Sequence, residues 1–101
     1  MNAVENQVRD LVKIELAAAN ERFPQFHSAH EGYAVILEEL EETREQIDSV
    51  ERYLNYLWDR AKQDCTAKEQ AKYIKMFAIN AACEAIQVAA MAQKFLEMEN
   101  A

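Results

Sequence analysis

Apolar residues recur along the chain at helical spacing, with polar residues between them. Val4, Val8, Leu11, Val12 and Leu16 share one side of a 3.6-residue period, which predicts a first helix over 2–22. Phe23-Pro24 ends it, because proline lacks the N–H and disfavours helical geometry in the residue before it. The connector that follows, 23–27, carries Phe23 and Phe26, expected to plug the end of a helical bundle. Ser28-Ala29-His30-Glu31 has the form of a capping box and opens a second helix over 28–61. Its apolar stripe is Tyr33, Ile36, Leu37, Leu40, Ile47, Leu54 and Trp58. Gln63-Asp64-Cys65 is the expected turn, and Thr66-Ala67-Lys68-Glu69 repeats the capping box before a third helix over 66–97.

The chain has a single Gly and a single Pro. Sandwiches and barrels rely on those residues for their many turns, so an all-β fold is excluded. The expectation is an all-α single domain over 1–101: a long helical hairpin plus an N-terminal helix. Two helices of about 45 Å do not fit a compact body with a radius of gyration of about 13 Å. The hairpin therefore needs another copy to cover its apolar faces, as a homodimer or homotetramer.

The net charge of −7 changes the list of partners. No cluster of Lys and Arg is present to neutralise phosphates, so neither nucleic acid nor an anionic membrane is an expected partner. An acidic protein that handles a phosphate compound recruits a divalent cation to bridge the like charges. The opening MNAVENQVRD lacks the basic-then-apolar order of a signal peptide, and no apolar run of bilayer-spanning length is uninterrupted. Cys65 and Cys83 stand apart without metal-ligand spacing and read as reduced thiols, so a cytoplasmic protein is expected.

The most informative stretch is Met76–Ala92, apolar on nearly every side and so expected to be buried. Its polar residues, Asn80, Glu84 and Gln87, fall in one line, opposite Ala78, Ala82, Ala85, Ala89 and Ala92. A carboxylate there must be paired, protonated or bound to metal. One reading is a structural network that sets helix register; the other is a site. The second helix carries Glu38, Glu39, Glu41, Glu42 and Glu45 with Arg44 as the only cation in the run. Such like charges repel unless a cation bridges them. At about 100° per residue, Glu39 lies at the edge of the apolar stripe and Glu42 beside Val35, whereas Glu41 and Glu45 point outward. His27 and His30 lack companions for a metal set and read as cap residues. The aromatics Tyr53, Tyr56, Trp58, Tyr73 and Phe77 are expected to pack the arms near the turn.

Residues HEGYAVILEELEE (His30–Glu42), taken with Glu84-Ala85-Ile86-Gln87 on a later Ala-rich helix, resemble the MazG-type all-α nucleotide pyrophosphohydrolases, in the flavour of short phage and prophage members. The family signature is Glu-Glu-x-x-Glu on one helix and Glu-x-x-Asp on the next. The resemblance implies a MazG-like bundle completed by oligomerisation. It also implies hydrolysis of a nucleoside triphosphate to the monophosphate and pyrophosphate, with magnesium, or manganese in its place. Carried over, Glu39 and Glu42 are catalytic and metal-binding, Glu38 supports the metal, and Glu84 is the ligand from the later helix. Gln87 stands where the family has Asp. Asn80 and Lys94 are the candidates for phosphate oxygens. The alternative is a non-enzymatic α-helical oligomer in which the acidic face is solvated and Asn80, Glu84 and Gln87 set register.

Overall fold

The computed structural model describes residues 3–99 and consists of three helices: α1 (Glu5–Arg22), α2 (Ala29–Lys62) and α3 (Lys68–Leu96). The fold is all-α. Phe23 takes an extended conformation (φ −140°, ψ 90°), the geometry that the following proline demands, and α1 stops there. Asn2, where the first helix was expected to begin, lies outside the described residues.

Ser28 caps α2, its hydroxyl accepting from the Glu31 N–H at 3.1 Å. The reciprocal half of the box is shifted by one residue: the Glu31 carboxylate accepts from both the backbone N–H and the ring Nδ1 of His27. At the other end of α2, Asp64 adopts the left-handed region (φ 55°). Asp64 N–H donates to Ala61 O and Cys65 N–H to Arg60 O, the paired bonds of a Schellman ending with Asp in the place usually given to Gly. The second predicted capping box does not form. Ala67, not Thr66, occupies the N-cap of α3 without a side-chain bond, and Thr66 instead offers its carbonyl to Arg60 Nε at 2.5 Å.

α2 and α3 form an antiparallel hairpin, and α1 lies on α3 alone. The molecule measures 58 × 28 × 22 Å with a radius of gyration of 17.3 Å, against about 13 Å for a compact chain of this length. Of the predicted apolar stripe, Ile36 packs on the core, but the face of α2 turned to α3 is otherwise a different one. Val35, Glu39, Glu42, Gln46, Ser49 and Tyr53 form the line of half-buried residues there; Val35 packs on the Ala90–Met91 core, and Tyr53 stacks on Tyr73 and Phe77. Tyr33, Ile47, Leu54 and Trp58, members of the predicted stripe, remain exposed because they sit about 100–160° around the helix from that line. Trp58 thus stays outside the aromatic cluster that the other four residues form.

The burial expected for Met76–Ala92 is likewise limited. Ala81, Ala90 and Met91 are buried, whereas Met76, Ile79 and all five alanines of the opposite face are exposed. An 18-residue window of α3 reaches a mean hydropathy of 1.3, sufficient by length and composition for a bilayer span, although core helices of soluble proteins meet the same criterion. The enclosed core sits where the three helices and the connector meet: Phe26, Ala90 and Met91, with Val12, Leu16, Ala19, Val35, Ile36, Phe95 and Met98 around them. Phe26 plugs this end as expected; Phe23 stays exposed.

Gly32 is what lets α2 reach that core. A Cβ at this position would lie 2.5 Å from Phe95 Cδ2 and 3.1 Å from Phe26 Cδ2. Gly→Ala inside a helix ordinarily gains about 1 kcal/mol, but here the methyl group overpacks two rings. Gly32→Ala should therefore lower stability by about 1–3 kcal/mol in chemical denaturation.

Candidate metal centre

Glu39 and Glu42 are three apart on α2, so both fall on its α3-facing side. Across the gap, Glu84 is the carboxylate in the polar line of α3. Packing the hairpin in this register brings one carboxylate oxygen from each of Glu39, Glu42 and Glu84 within 4.8 Å of the others, and all three residues are half-buried. Glu38, Glu41 and Glu45 remain exposed outside this group.

Negative charge in the gap is uncompensated. Among the described residues the ion pairs are Arg9–Glu5, His27–Glu31 and Lys62–Asp59, none of which involves the acidic run. Partial burial, and then the Glu42, Glu84 and Glu38 charges, push the Glu39 carboxyl above the ordinary carboxylate value. The Glu84 carboxyl is raised as well, first by partial burial and then by Glu42, with which it can share a proton.

Gln87 lies one turn beyond Glu84 and half-buried. Its Nε2 donates to Glu15 Oε2 at 2.6 Å, so α1 is tied to the polar line of α3 by a carboxylate that local sequence does not mark. Glu15 and Gln87 are 72 residues apart, and only the docking of α1 on α3 joins them. Gln46 was also missed. It follows Glu42 by one turn on the same side of α2, and its Oε1 is buried without a hydrogen-bond partner. Three carboxylate oxygens that converge from two helices are the donor type a hard cation prefers, so the residues present fit a divalent metal.

Asn80 is exposed one turn before Glu84. Lys94 is elsewhere. Its buried ammonium donates to Phe23 O and stands 4.9 Å over the Phe26 ring, which fastens the connector to α3. Ten residues beyond Glu84, it lies about 15 Å further along the helix.

Comparison with protein-family models, curated proteins and solved structures finds no match.

Two outcomes follow from this geometry. A carboxyl with a raised pKa binds its proton more tightly in the folded state, so its stabilising contribution fades as pH rises through that raised value. The metal-free protein should therefore melt higher at about pH 5 than at about pH 7, and Glu84→Gln should flatten that slope. The lowered Glu31 carboxyl acts with the opposite sign, and only at more acidic pH. Separately, Gln87→Leu leaves Glu15 half-buried without its donor and should cost about 1–2 kcal/mol in denaturant unfolding.

Proposed function

We propose that the protein is a divalent-metal-dependent nucleoside triphosphate pyrophosphohydrolase of MazG type. The observation that carries this reading is the convergence of Glu39, Glu42 and Glu84, drawn from two helices, with no basic side chain paired to them. Three carboxylate oxygens at that separation form part of an oxygen-rich ligand set suited to magnesium or manganese. The resemblance of His30–Glu42 and Glu84–Gln87 to the family motifs supports the same assignment. Glu38 borders the group from the exposed side, and Gln87, with its nitrogen engaged by Glu15, retains its carbonyl oxygen as a neutral donor.

A divalent ion held there would neutralise the triphosphate and polarise its phosphorus toward attack. The carboxylates of the trio would accept the proton of the attacking water, a role that suits groups whose proton affinity is raised. Water adds to the α-phosphorus, the bond to the bridging oxygen breaks, and pyrophosphate leaves with the nucleoside monophosphate as the other product. In this reading Asn80, exposed one turn before Glu84, would meet a phosphate oxygen, and the protein would work in the cytoplasm.

One observation favours the alternative of a non-enzymatic helical oligomer: Gln87, at the family's Asp position, is already occupied in binding α1. The two readings separate in a single assay of pyrophosphate release from a panel of ribo- and deoxynucleoside triphosphates. The expected result is release that requires magnesium and vanishes in the Glu39→Ala/Glu84→Ala protein. A Glu84→Gln protein that retains or gains melting temperature while losing its response to magnesium supports the metal site. No release, combined with no thermal shift from magnesium plus nucleotide, assigns the carboxylates to the surface.

A further inference from the structure

One stripe of α2 repeats every seven residues: Tyr33, Leu40, Ile47, Leu54 and Ala61, all exposed except the half-buried Leu40. Tyr33, Ile47 and Leu54 are 67%, 51% and 53% exposed, and Trp58 beside them is 60% exposed. A period of seven is the signature of helices that pack against one another along their length, and α1, seated on α3, leaves this side of α2 uncovered. The surface of the chain is 7699 Å², whereas a monomer of its mass would expose about 5,900 Å². The difference, about 1,800 Å² per copy, falls within the range that obligate homodimers bury.

What covers the stripe is read from its internal order, which is complementary to its own reverse. We propose that a second copy of this chain packs here, α2 antiparallel to α2, about a twofold axis beside Ile47. Residues equally far on either side of Ile47 then meet: Leu40 faces Leu54, and the large Tyr33 faces the small Ala61. Along the flank the match is offset by one residue, about 1.5 Å along the axis: Leu37, ten before Ile47, comes beside Trp58, eleven after it, and Arg44, three before, comes beside Glu51, four after. Arg44 and Glu51 are both exposed, and neither has an ion-pair partner among the described residues. A parallel pair would set Tyr33 on Tyr33 and hold Arg44 about 10 Å along the helix from Glu51. Antiparallel pairing satisfies both size and charge, twice over by symmetry. Glu39 and Glu42 lie on a different side of the helix, so this interface stands or falls independently of the metal reading.

Light scattering and sedimentation of the full chain across concentration should show a reversible assembly built on dimers. Arg44→Glu or Glu51→Arg should each weaken association about tenfold, and the double exchange should restore it, with helical circular dichroism unchanged throughout. With Cys65 and Cys83 replaced by Ser, a mixture of Leu40→Cys and Leu54→Cys proteins should cross-link on mild oxidation, whereas neither should cross-link alone. A chain that is monomeric at every concentration, a double exchange that fails to restore association, or Leu40→Cys joining to itself would each overturn the proposal.

Discussion

Glu39, Glu42 and Glu84 stand together between the two long helices with no ion-pair partner among the described residues, and that convergence shapes the rest of the hairpin. Partial burial, and then the neighbouring carboxylates, push the Glu39 and Glu84 carboxyls above the ordinary value, because charges of one sign in a partly dehydrated gap repel. Stacked aromatics on the turn side, Tyr53 with Tyr73 and Phe77, clamp the arms there. The Phe26–Ala90–Met91 core clamps them at the connector end. The acidic group lies between these two anchors, held close by packing that it does not itself favour. A structural site offset by its surroundings in this way is common where ligands bind.

The same register explains the position of the apolar residues. A helix can turn only one side to one neighbour, and α2 gives that side to Val35, Glu39, Glu42, Gln46, Ser49 and Tyr53. Of its predicted apolar stripe, Ile36 reaches the core, whereas Tyr33, Ile47, Leu54 and Trp58 are left facing water. The isolated chain consequently encloses very few side chains, with Phe26, Ala81, Ala90 and Met91 as its buried apolar residues. Marginal folding free energy is the expected consequence of so small an enclosed core. Covering the stripe with a second copy and neutralising the gap with a cation would relieve two separate deficits on two sides of one helix.

The α1 helix also has more than a covering role. Through Glu15 it reaches Gln87, and through the connector its end is held by buried Lys94. Lys94 shows how an assignment by helical spacing alone goes astray. Following the polar line along α3 leads to it, yet the return of the chain at Phe23–Phe26 claims its ammonium for a carbonyl and a ring face.

What the sequence determined by itself is local. Helical periodicity, the scarcity of Gly and Pro, the Ser28 cap and the Phe23-Pro24 stop establish three helices and their approximate ends, since each depends on backbone geometry within a few residues. The triad of Glu39, Glu42 and Glu84 was legible as candidates because spacing of three or four places residues on one side of a helix. Tertiary structure decided which side of α2 meets α3. Periodicity locates a stripe but does not name its partner, and most of the apolar stripe beyond Ile36 proved to face away from α3. It also decided the Gln87–Glu15 bond, the unpartnered Gln46 oxygen and the placement of Lys94, because each depends on how separate helices dock.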